Sequence, residues 1–63
     1  MGTDLAEAER ALARGDWAAA RDAFAAVLDE DPASAHDGIG RALWWLGDAD
    51  AAIDHREKAY VAF

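Results

Sequence analysis

The chain reads as an all-α fold: two tandem antiparallel helix-turn-helix hairpins, four helices in all, within a single domain over residues 1–63. Three observations predict this. Ala, Leu, Arg, Glu and Asp make up most of the chain, and most of that is good helix-forming material, with Pro32 the one proline. The β-branched residues are few (Thr3, Val27, Ile39, Ile53 and Val61), and no alternating strand pattern runs through them. A Gly-Asp pair at Gly15-Asp16 recurs 32 residues later at Gly47-Asp48, so the chain has an internal period.

Each helix can be placed from its punctuation. Thr3 is read as the N-cap of the first, whose apolar stripe is Leu5, Ala8 and Leu12. Gly15 ends it, because a left-handed residue after a helix costs least without a Cβ. Asp16 then caps a second helix with the stripe Trp17, Ala20, Phe24, Val27 and Leu28. Asp31-Pro32 stops that helix, since the residue before proline is pushed out of helical geometry. Ser34, with Asp37 three residues on, resembles a capping box and opens the third helix, with Ile39, Leu43 and Leu46 as its stripe and Ala42 alongside. Gly47 stops it and Asp48 caps the fourth, whose stripe is Ala49, Ala52, Ile53, Tyr60 and Phe63. Four helices of roughly 11–15 residues joined by turns this short leave antiparallel neighbours.

Composition and charge exclude several functions. At 63 residues the chain buries a modest fraction of its surface, and much of its 54% hydrophobic content is alanine. No cysteine is present, so no disulfide can reinforce it and the redox compartment is unconstrained. Thirteen acids against six bases give a net charge of −7, the wrong sign for tracking phosphates or an anionic membrane surface. No apolar run approaches the roughly 20 residues of a spanning helix, and Met1-Gly2-Thr3-Asp4 lacks the basic start of a signal peptide. A cytoplasmic protein without nucleic acid or membrane as direct partner is the expectation.

The repeat extends beyond the turn. Ala19-Ala20 matches Ala51-Ala52 and Asp22 matches Asp54 at the same offset. A small residue such as Ala20 or Ala52 lets the helices of a hairpin approach closely, while Gly-Asp stops one helix and starts the next. The stretch GDWAAARDAFAAVLDEDP resembles the second half of a tetratricopeptide repeat, with a Gly-Asp-aromatic turn, Ala20, Phe24, Val27 and a closing Pro32. Ile39-Gly40, Leu43, Gly47-Asp48, Ala52 and Ala59 resemble a second repeat, so the units run over about 3–32 and 33–63. That resemblance implies a right-handed solenoid fragment serving as a protein- or peptide-binding module. Three features depart from the family: the offset is shorter than its usual period of about 34 residues, the first helix carries Ala8 and Ala11 instead of large anchors, and Arg56 stands where Phe24 stands in the first unit. The WWLGDADAAIDHREKAY phrasing also resembles repeat arrays of large actinobacterial regulators of the LuxR type, although no DNA-reading helix-turn-helix is visible.

The family's concave face implies partner contacts at Asp37, Arg41, Trp44 and Trp45, with Leu5, Glu9, Leu12 and Ala13 in the first unit. Adjacent helical residues point about 100° apart, so Trp44 and Trp45 cannot both lie on the Ile39/Leu43/Leu46 stripe. Either one or both cover the neighbouring hairpin, or they line the groove beside Arg41 as a hot spot for a partner. His36 and His55 lie on different helices without metal-ligand spacing, and are read as solvated or capping residues. Thr3 and Ser34 have capping positions and no phosphate loop is present, so neither catalysis nor a cofactor is expected. Asp29, Glu30 and Asp31 crowd the end of the second helix, where the dipole disfavours them: a solvated, frayed end, or an acidic contact for a basic partner.

The apolar ending Ala59-Tyr60-Val61-Ala62-Phe63 has no stop signal, and two repeats fall below the roughly three a stable array needs. The expectation is a fragment of a longer array, or a homo-oligomer (a dimer or larger) that hides an edge at Tyr60 and Phe63. Against the interaction module stand two further readings: a structural, transmitting segment of a larger bacterial transcriptional regulator, and an acidic nucleic-acid mimic resting on charge alone.

Overall fold

The computed structural model describes residues 4–62, which form four helices: α1 (Leu5–Ala13), α2 (Trp17–Ala26), α3 (Pro32–Leu46) and α4 (Ala49–Ala62). No strand occurs among the described residues. Short turns fold α1 back on α2 and α3 back on α4, giving two tandem hairpins, and α3 lies against all three other helices. The slab measures 31 × 24 × 14 Å. Its thin dimension is that of two helix backbones of about 2.3 Å radius with axes about 8–10 Å apart.

The two Gly-Asp turns behave alike at the backbone. Gly15 and Gly47 have φ of +80° and +89°, the left-handed conformation that ends a helix most readily at glycine. Their aspartates differ. Asp48 accepts a hydrogen bond from the Ala51 N–H at 3.2 Å, whereas the Asp16 carboxylate makes no capping bond and lies 3.9 Å from Arg14.

Three expected boundaries are corrected. The N-cap of α1 is Asp4, whose carboxylate accepts the Glu7 N–H at 2.7 Å; Thr3, expected to cap, lies outside the described residues. A carboxylate serves here because it also meets the positive end of the helix dipole. Helix α2 ends at Ala26 and Val27–Glu30 form turns, because the Val27 N–H bonds to Phe24 O at 3.1 Å in place of the next helical acceptor. Helix α3 begins at Pro32, not after Ser34. Proline at the first helical position has its φ preset and lacks an N–H that would go unpaired. Asp31 is the cap, accepting from Ser34 N–H at 3.2 Å, so the Ser34/Asp37 capping box does not form. Asp31 thus sits at a favourable helix start rather than an unfavourable helix end.

The core is made largely of alanine: Ala8, Ala11, Ala20, Ala42 and Ala52 with Phe24, Ile39 and Leu43. Phe24 and Val27 are the largest fully buried side chains. Small residues let the helices close to short range, and glycines mark the closest approaches. A Cβ at Gly38 would run into the Phe24 ring, and one at Gly40 would meet Arg56 Cδ at 2.8 Å and the Ala52 carbonyl at 3.1 Å. This explains a fourth correction. The expected α4 stripe of Ala49, Ala52, Ile53, Tyr60 and Phe63 does not form the buried face: Ala52 and Ala59 are buried, while Ile53 and Tyr60 are exposed and Phe63 lies outside the described residues. At Gly40 the α4 backbone comes close, with the Ala52 carbonyl and the Arg56 stem against the glycine, and the helix turns Ala52 and Ala59 inward and its large apolar residues out.

Candidate interaction surface

The large side chains of the second hairpin are mostly on the outside. Trp44 is 59% exposed, Trp45 64%, Ile53 52%, Tyr60 87% and Val61 89%. Four of them, Trp44, Ile53, Tyr60 and Val61, line a cleft of about 720 Å³ between α3 and α4, floored by Gly40, Ala52 and Ala59 and edged by Asp37, Arg56 and Glu57. Trp44 and Tyr60 are expected from the sequence as contact residues, whereas Ile53 is expected on the α4 stripe and Val61 only within the apolar ending. Leu46 is also exposed, despite its place on the expected α3 stripe.

The residues expected on the concave side fall into two adjoining hollows. Glu9, Leu12 and Ala13 of α1 border one of about 530 Å³ with Phe24, Asp37 and Arg41. Leu12, Arg41, Trp44 and Trp45 meet Trp17 and Arg56 around a second of about 280 Å³. Leu5 lines neither and is half-buried against the core. The tryptophans divide their tasks. Trp45 stacks on Trp17 across the two hairpins, with ring centroids 5.3 Å apart and planes 14° from parallel, while keeping most of its surface free. Trp44 turns toward the cleft.

Asp37 organises the charges of this face. One carboxylate oxygen lies 2.9 Å from Arg41 of its own helix and the other 3.2 Å from Nε of Arg56 on α4. Arg41 and Arg56 remain more than half exposed, so their pairing with Asp37 leaves donors free. The Arg56 stem lies across Gly40, an example of a charged residue covering apolar backbone with its methylenes. On the outer side of α4, Lys58 lies 2.9 Å from Asp54 and holds that carboxyl below the usual range.

The histidines correct a further expectation. They are neither solvated nor capping: His36 of α3 and His55 of α4 are half-buried and face each other, with Nδ1 to Nδ1 at 3.0 Å. The ring centroids are 5.2 Å apart, a gap that exceeds the nitrogen separation by about the two centroid-to-nitrogen distances. The nitrogens therefore lie nearly on the line between the rings, as in an N–H···N hydrogen bond in which one donates and a neutral partner accepts. Burial, then the Lys58 ammonium and His36, pull the His55 imidazole below its ordinary value against an upward pull from Asp54. Sequence spacing carries no signal for this pair, because the two residues meet only through helix packing. No group of three or more metal-ligating side chains converges among the described residues, and no helix among them is long and apolar enough to cross a membrane.

Compared with known proteins, the chain matches no family model, no curated protein and no solved structure.

Proposed function

We propose that this chain is a non-enzymatic protein-interaction module of tetratricopeptide type, binding through the α3–α4 face around Trp44 and Tyr60. One observation carries the reading: alanine fills the core while Trp44, Trp45, Ile53, Tyr60 and Val61 are exposed. An apolar surface on a small domain, with aromatic residues on it and Asp37, Arg41, Arg56 and Glu57 along its edge, has the composition of a contact site. The tetratricopeptide part rests on the 32-residue offset, the paired Gly-Asp turns and the buried Ala20 and Ala52.

A pull-down with immobilised protein tests the reading. Partners should be retained by the wild type and lost by a Trp44→Ala/Tyr60→Ala variant whose helical circular dichroism is intact. Equal retention by both proteins would remove this face as the binding site.

A further inference from the structure

The repeat offset locates what the α3–α4 cleft is shaped to hold. On the first hairpin, α3 covers a seat that includes Ala8, Ala20 and Phe24, where the Phe24 ring meets the bare backbone of Gly38. Moved 32 residues along the chain, Ala8, Leu12, Ala20, Phe24, Val27 and Leu28 become Gly40, Trp44, Ala52, Arg56, Ala59 and Tyr60. All six of these line the open cleft. The cleft is thus the second hairpin's version of the seat that α3 fills on the first, and it is shaped for a helix bearing small residues.

Within this chain the helix that stands in its hairpin as α3 stands in the second is α1. The α3 residues Gly38, Ile39 and Ala42, buried in the contact between hairpins, correspond at the same offset to Ala6, Glu7 and Arg10. In α1 all three are exposed. Placed on the cleft of another copy, Ala6 would take the place of Gly38 and lie over Arg56, the counterpart of Phe24. Glu7 then comes beside the Arg56 guanidinium, and the cleft edge offers Glu57 as well. The exposed α1 face carries Glu7 and Arg10, and the cleft edge carries Arg56 with Asp37 and Glu57, so a contact that is apolar inside the chain gains opposite charges between chains.

We infer that the occupant of the cleft is helix α1 of a second copy, so that molecules stack head to tail and continue the internal repeat. The inference rests on the proposed interaction face and assigns its partner. The joined surfaces are different, so the contact does not close on itself at two copies, and assembly grows with concentration.

Sedimentation velocity and light scattering on the 63-residue chain test this. The average mass should rise with concentration past that of a dimer. Ala6→Trp, at an exposed site on the opposite side of the molecule from the cleft, should leave the protein helical and monomeric. Glu7→Arg should weaken association by about tenfold or more, through like charges meeting at Arg56. Mixing Glu7→Arg with Arg56→Glu should restore assembly, since every contact then joins opposite charges; if Arg56→Glu does not fold, the first two variants decide. A wild type that stays monomeric to millimolar concentration overturns the inference, as does association unchanged by Ala6→Trp. If association is lost in Trp44→Ala/Tyr60→Ala but not in Ala6→Trp, the binding face stands and the second-copy helix α1 falls as its occupant.

Discussion

In the first hairpin a fully buried Phe24 fills the space under Gly38, and α3 covers it. In the second, Arg56 occupies the corresponding position, bends over Gly40 and gives its guanidinium to Asp37, with no helix over it among the described residues. The first hairpin is therefore held by apolar packing, while α4 is held by two small alanines, a histidine pair and a half-exposed ion pair. The contrast teaches that one repeat plan can be closed by a hydrophobic plug or left as a polar-rimmed seat.

The largest test of that contrast is truncation at the two equivalent positions. Phe24→Ala should cost about 3–5 kcal/mol, most of what a domain of this size has, and abolish the cooperative urea transition followed by circular dichroism. Arg56→Ala removes a half-exposed ion pair worth about 0–1 kcal/mol and should leave a folded protein. Equal losses at both sites would break the comparison.

Next come the glycines. Gly38→Ala drives a Cβ into the enclosed Phe24 ring and should cost about 1–3 kcal/mol, even though alanine is the better helix former by about 1 kcal/mol. Gly40→Ala should cost less, because the flexible Arg56 stem can swing away and only the Ala52 carbonyl at 3.1 Å resists. Urea midpoints of the two variants give the order directly.

The turns are what the hairpins share. Gly15→Ala and Gly47→Ala should each cost about 1–2 kcal/mol, since both residues have φ near +80° to +90° and alanine is strained there. A clear difference in melting temperature between them would show that the equivalence stops at the backbone. Smaller again is the stack that ties the hairpins together. Trp45→Ala should lower stability by about 0.5–1.5 kcal/mol through loss of the Trp17 contact, and Trp44→Ala by less.

The smallest effect is one of pH. The His55 imidazole is held below its ordinary pKa, so the folded state binds protons less readily than the unfolded chain. Its contribution is complete above the unfolded value of 6.5 and is lost as pH falls through the lower folded value. Melting temperature should drop on going from neutral pH to below 6.5, and His55→Gln should flatten that part of the profile. A profile unchanged by His55→Gln would remove the histidine pair from the forces holding α4.

The four helices and both glycine stops were legible in the sequence, because helix propensity, left-handed turns and the repeat offset are properties of neighbouring residues. Boundaries slipped where two local signals competed. Thr3 and Asp4 both suit an N-cap, and the rule that proline disfavours a preceding helix hid the rule that proline favours a helix start. The candidate site was legible in part. Trp44, Arg41 and Asp37 were reached through the repeat resemblance, while Ile53 looked like core because apolar residues on a helix ordinarily turn inward, and Val61 was read only as part of an apolar ending.

By itself the sequence determined the helical class, the two-hairpin order and the places where the chain reverses, since each depends on torsional preference within a few residues. Only the tertiary structure decided which face of α4 is buried, that His36 meets His55, and that Asp37 holds arginines from two helices. Those outcomes depend on how closely helices approach, and the approach is set by glycine and alanine, whose lack of bulk is felt only when another helix arrives.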